Sequence, residues 1–203
     1  MNHLGRLDRL ANSYSVMRHG QSKANARGVI VSRLETDAGG DYGLTALGRE
    51  QVRAAALAWS SPAGTPPAQT LIFSSDFTRA AQSAQIVRAQ LAAPAVAIAA
   101  ALRERCFGDW EGTPTANYRT VWAADEAGRA DHGVEPATAV LDRVTAFIAD
   151  LEGRHSGRNI LLVSHGDTLQ VLQAGLARMD PAKHRHLPHL ETAEIRRLHL
   201  VPQ

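Results

Sequence analysis

Short apolar runs along the chain alternate with longer stretches of helical period. Tyr14 to Gly20 reads as a buried strand that stops on a polar Arg18-His19 pair and a turning glycine. Asn159 to Ser164 reads as a second strand, and it runs straight into His165-Gly166. Thr70 to Phe73 and Pro94 to Ile98 are further apolar runs, and Gly28 to Val31 is a shorter one. Glu194 to Val201 predicts a last strand; neither of its alternating sets is cleanly apolar, which suits a sheet edge. Between these runs the 3.6-residue period predicts an alanine-rich helix over Thr45 to Trp59 with Thr45 as N-cap. A second helix follows Phe73, capped by Ser75 or Asp76, with Ala80, Ala84, Val87 and Leu91 on one face. Thr138 to Leu151 is strongly amphipathic, and Asp167 to about Met179 predicts a helix halted near Pro181. Thr115 to Ala130 is mildly helical; its stripe of Tyr118, Val121 and Trp122 reads as core packing by default and as a lid in the alternative. Pro62 to Pro67 is a breaker cluster, and Ser32 to Asp41, with Gly39-Gly40, reads as a loop. Strands alternating with helices of this length imply an α/β fold: a three-layer α/β/α sandwich on a mostly parallel sheet, with any site at the strands' carboxyl ends.

Composition adds bounds. The 203 residues, 44% hydrophobic, suffice for one sizeable core, so residues 13–203 are expected to form a single domain behind an N-terminal extension over 1–12. A formal net charge of +2, with basic residues dispersed, gives no footprint for nucleic acid. The lone Cys106 has no internal disulfide partner, which fits a reducing compartment; it reads as a small filler. No run approaches the roughly 20 apolar residues needed to cross a bilayer, and residues 1–12 carry Arg6, Asp8 and Arg9 where a secretion signal is apolar. A cytoplasmic protein without nucleic-acid or membrane partners is expected; the sequence leaves its oligomeric state open.

The chemistry gathers where strands end. Two strands that both stop on His-Gly carry more weight than one, though the residues themselves do not say whether His19 or His165 would be a nucleophile. Arg79 falls in the first turn of its helix, opposing the macrodipole, an unfavourable placement unless an anion binds nearby. Glu104, Asp109 and Glu111 crowd one short segment. His184, His186 and His189 are close in sequence but lack carboxylates or cysteines in register, so no metal is assigned to them.

Four blocks together resemble the histidine phosphatase superfamily, the group that includes cofactor-dependent phosphoglycerate mutases and broad-specificity phosphatases. They are Arg18-His19-Gly20-x-Ser22-x-x-Asn25, Phe73 to Ala84, Leu102 to Gly112, and Val163 to Gly166, and the resemblance covers about Ser13 to Val201. It implies a phosphoglycerate mutase-like fold and a phosphatase of small phosphorylated metabolites that needs no metal or other cofactor. By match to the family's motifs, His19 is the nucleophile and Glu104 the general acid and base, while Glu111 falls at a position of structural character. Arg18, Arg79, His165, Asn25 and Gly166 match its phosphate-binding positions. Guanidinium forks suit this work because they pair bidentately with phosphate oxygens and keep their charge. A mutase is the alternative, less favoured because Arg119 and Arg129 do not form an adjacent pair; a non-catalytic phosphate binder is the third reading. The acids of the 32–41 loop, Glu35, Asp37 and Asp41, read as solvated.

Overall fold

The apolar runs, apart from residues 28–31, become the strands of one sheet. A computed structural model describes residues 1–60 and 65–202; the start of the Pro62–Pro67 cluster lies outside them. The chain begins with β1 (Ser13–Arg18), α1 (Lys23–Arg27), α2 (Leu34–Asp37) and α3 (Ala46–Ala58). It continues through β2 (Leu71–Ser74), α4 (Thr78–Leu91), β3 (Ala97–Ile98) and α5 (Tyr118–Glu126). The last part is α6 (Ala137–Arg154), β4 (Asn159–Ser164), α7 (Gly166–Leu176) and β5 (Ile195–Arg197).

The strand order is β3-β2-β4-β1-β5, parallel except for β5, which runs antiparallel to β1. Pleating sends successive side chains to opposite faces, and the core splits accordingly. Tyr14, Val16, Ile160 and Leu162 join α6 and α7 in one apolar layer. Met17, Ile72, Leu161 and Val163 face α3 and α4 in the other. The result is the expected three-layer α/β/α sandwich. Among the described residues, no helix is long and apolar enough to cross a membrane.

Several element ends differ from the sequence reading, each for a local reason. β3 is only Ala97–Ile98, because Pro94 has no N–H to donate and the amide of Ala93 is taken by Arg88 at the end of α4. β5 stops at Arg197; the chain then turns away and Val201 N–H donates to Leu176 O at the end of α7. α5 covers only Tyr118–Glu126, preceded by a tight turn over Thr115–Asn117. Within its stripe Val121 is core, packed with Ile30, Phe107 and Val134, whereas Tyr118 and Trp122 line a cavity. α4 is not capped by Ser75 or Asp76: its N-cap is Phe77, and the Asp37 carboxylate accepts from Thr78 N–H at 2.5 Å.

The first twelve residues are tied into the same core. Leu4 is fully buried in the layer of α6 and α7, with Leu7 and Leu10 packed against it. Arg178 donates to the carbonyls of Gly5 and Leu7, and Asn12 Nδ2 donates to Glu152 Oε1 at 2.7 Å. Leu4→Ala, which empties a fully buried site, is expected to lower stability by about 2–5 kcal/mol. Urea denaturation would measure it, and a loss below about 0.5 kcal/mol would mean the segment contributes nothing to the core.

Candidate active site

β1 and β4 pair in register from Ser13 against Asn159 to Arg18 against Ser164, so His19 and His165 both sit one residue beyond the ladder. Their rings meet edge to face with centroids 5.2 Å apart, and both are buried. His19 Nδ1 lies 2.8 Å from Gly20 O, an atom that can only accept, so the proton is on Nδ1 and Nε2 carries the lone pair. That Nε2 accepts from Arg79 Nε at 3.1 Å. Burial first, then Arg79 and Arg18, hold His19 well below the usual imidazole range, which keeps the ring neutral. Gly20 lets this corner form: a Cβ there would stand 2.4 Å from Gly48 O, so the glycine of the His-Gly pair packs directly on the start of α3.

Arg79 comes from the first turn of α4 and is buried. Beyond His19, it donates through Nη2 to Val31 O at 2.9 Å, and its guanidinium lies 4.7 Å over the Phe77 ring. Asp37 answers its charge with Oδ1 at 3.8 Å from Nη1, while Oδ2 caps α4. This acid is 1% exposed, so it is not the solvated loop group the sequence suggested. One carboxylate thereby offsets both a helix N-terminus and a cation that opposes the helix dipole. Nη1 of Arg79 is buried with no hydrogen-bond partner.

His165 Nε2 sits 2.9 Å from Ser75 Oγ, whose oxygen also accepts from Phe77 N–H. Nε2 is therefore the ring nitrogen engaged with Ser75, while Nδ1 is buried and unpartnered. Gly166 is the first residue of α7, so the helix's unpaired amides open toward the cavity it lines. Arg18 reaches Leu190 O and His189 through Nη1 and has a buried Nε without a partner. Asn25 also lines the cavity, with its Oδ1 accepting from Ser22 N–H and Oγ–H in the capping box of α1. Glu104 Oε1 accepts from the amides of Arg105 and Thr168 at 3.0 and 3.3 Å. Burial first, then Asp167, raises its carboxyl above the usual range. All seven residues picked from the sequence gather here: His165 packs on His19, and the others line one cavity of about 320 Å³. Glu111 stands apart, accepting from Ser32 and Arg33 to hold the start of the 32–41 loop.

The sequence assigned no site role to a buried network around Asp167, which lines the cavity with Trp122. Trp122 is stacked on Tyr118, with ring planes 8° apart, and donates from Nε1 to Asp167 Oδ1. Arg105, fully buried, pairs with Asp125 at 2.6 Å and Asp167 at 3.2 Å. His184 donates from Nε2 to Asp167 and from Nδ1 to Pro181 O; two acceptors require a proton on each nitrogen, an imidazolium. Burial opposes that charge, but Asp167 prevails and raises the His184 pKa. The neighbouring histidines diverge, His186 to Glu126 and His189 to Arg18. Among the described residues no cluster of three metal-ligating side chains forms.

Comparison with known proteins places the chain in a family. Residues 15–203 match the histidine phosphatase superfamily, branch 1. The glucosyl-3-phosphoglycerate phosphatase of Mycolicibacterium vanbaalenii is 34% identical over 177 residues, covering 79% of this chain and 72% of the relative. The adenosylcobalamin/alpha-ribazole phosphatase of Escherichia coli is 30% identical over 172 residues, covering 81% and 78%. Among solved structures, a mycobacterial glucosyl-3-phosphoglycerate phosphatase complexed with VO3 has a TM-score of 0.76 at 28% identity, covering 91% of this chain and 90% of that one. A match that runs from β1 to the end of the sequence, joined to relatives of this identity and coverage, makes the chain a member of branch 1 of the histidine phosphatase superfamily and a phosphoric monoester hydrolase.

Proposed function

We propose that the protein hydrolyses a small phosphomonoester in two steps through a phosphohistidine on His19. The observation that carries this reading is the state of His19: a neutral ring whose Nε2 lone pair meets the Arg79 guanidinium in the cavity wall. Arg18 and Arg79 neutralise the phosphoryl oxygens, so the approaching nitrogen does not meet uncompensated negative charge. His19 Nε2 attacks phosphorus, the ester P–O bond breaks, and Glu104 gives its proton to the departing alkoxide. Water then attacks the phosphoryl group, returns a proton to the Glu104 carboxylate, and the P–N bond breaks to release phosphate. His165, through Nδ1–H, donates to a non-bridging oxygen as charge builds there, with the Gly166 amide and Asn25 Nδ2 as further donors. Glu104 begins protonated because burial and Asp167 raise its pKa, and a bound phosphoryl group raises it further. The charge neutralisation comes from arginines, so no metal enters the scheme.

Labelled phosphoester quenched in alkaline detergent is expected to leave phosphate on the wild-type chain and none on His19→Ala. Label retained by the variant would reject His19 as the nucleophile. Released phosphate, rather than an isomerised phosphoglycerate, is the expected product, and isomerisation without release would overturn water as acceptor.

Glu104→Gln is expected to lower kcat/KM on an alkyl phosphate by about a hundredfold or more. The loss on 4-nitrophenyl phosphate should be far smaller, since that leaving group departs without a proton. Equal losses on both would remove Glu104 from proton transfer. The pH profile of kcat/KM should fall on the acid side as His19 gains a proton below its ordinary 6.5, and on the alkaline side as Glu104 loses one above its ordinary 4.5. A Glu104→Gln profile that kept the alkaline limb would assign that limb to another group.

A further inference from the structure

Arg185 lines the same cavity as His19 and Glu104, yet the phosphoryl transfer has no use for it. Its guanidinium lies 3.8 Å over the Trp122 ring, and Nη1 donates to Gln170 Oε1. The same Nη1 stands 3.4 Å from His189 Nδ1, while His189 Nε2 accepts from Arg18 Nη1 at 2.7 Å. An imidazole whose Nε2 accepts carries its proton on Nδ1, so an N–H faces a guanidinium N–H across that gap. Burial, Arg18 and Arg185 also hold His189 toward its neutral form. The row Arg18–His189–Arg185 is therefore rich in donors and short of acceptors.

No carboxylate makes up the shortage. Arg79 has Asp37, and Arg105 has Asp125 and Asp167, but among the described residues neither Arg18 nor Arg185 has an acidic partner within ion-pair distance. Asp167 does reach the cavity, but its oxygens are committed to Trp122, His184 and Arg105. Glu104 is turned to Thr168 and the Arg105 amide. Water can satisfy the hydrogen bonds of two guanidinium groups, but an anion also pairs with their charge. A phosphoryl group at Arg18 takes up one of them, and the His189 ring stands between that group and Arg185.

We propose that Arg185 and His189 form a subsite for a carboxylate on the leaving group, so that the preferred substrates are phosphate esters of hydroxy acids. This rests on the phosphatase reading above. With one face covered by Trp122, the guanidinium presents its edge, the geometry that a planar carboxylate meets bidentately. His189 Nδ1–H then gains an acceptor as well.

Matched substrates isolate the carboxylate: phosphoserine against phosphoethanolamine, and 3-phosphoglycerate against glycerol 3-phosphate. The wild type should favour the carboxylate member of each pair by about tenfold or more in kcat/KM, the scale of one charge-assisted contact. Arg185→Gln should erase that ratio, mainly through KM. Equal losses on both members would make Arg185 a third phosphate ligand and overturn the proposal, as would a wild-type ratio near one. Calorimetry on His19→Ala with 3-phosphoglycerate and glycerol 3-phosphate gives a readout free of turnover. Tighter binding of the carboxylate, lost in His19→Ala/Arg185→Gln, supports the subsite even if the chemistry assigned to His19 fails; equal binding of the two rejects the subsite even if hydrolysis proceeds.

Discussion

The register between β1 and β4 is the constraint on which the site depends. Pairing Arg18 with Ser164 delivers His19 and His165 from adjacent strand ends at the same level. The next strand contributes in the same way, since Ser74 pairs with Val163 and Ser75 follows it to meet His165. A slip of one residue would turn one strand's side chains to the opposite face, taking an imidazole out of the cavity and the core residues out of their layers. The hydrophobic alternation that stabilises the sheet therefore also holds the two rings 5.2 Å apart. Stability and site geometry are specified by one pattern.

Around that frame, buried charges meet partners in a definite order. Arg79 has Asp37 behind it and His19 before it, while Arg105 and His184 share Asp167 from opposite sides. Breaking one side of a buried pair strands its partner in a medium that cannot solvate it, which generally costs about 3–5 kcal/mol. The Asp167 cluster also holds Trp122 through its indole N–H, so the aromatic wall under Arg185 is anchored to the charge network rather than resting on a loop. Asp37 ties the 32–41 loop to the start of α4 and to Arg79 in the same manner.

Much of this was legible in the sequence because it depended on near neighbours. The amphipathic period of α6 and the apolar run of β4 fixed two elements to within a few residues, and the strand ends marked where polar chemistry would collect. Thr45 caps α3 as read, its hydroxyl oxygen accepting from Gly48 N–H. What escaped notice depended on partners far away along the chain. Asp37 caps a helix 41 residues later, and no local pattern separates it from Glu35 or Asp41. Arg105 and Asp125 are unremarkable surface types by composition, buried only because they meet each other. His189 was read only in a histidine cluster and Arg185 was not singled out; both line the cavity beside Trp122 of α5 and Asp167 of α7, elements far from them in the pattern of the sequence.

The hydrogen bond from His19 Nδ1 to the carbonyl of its own neighbour, Gly20, has a stereochemical consequence. It masks one ring nitrogen within the backbone of a corner packed directly against Gly48. Any electrophile taken up by this imidazole is directed to the far nitrogen, and the resulting adduct is the tele isomer. The two phosphohistidine isomers differ in hydrolytic lifetime and in nuclear magnetic resonance signature, so regiochemistry at a single ring is already written into a two-residue turn.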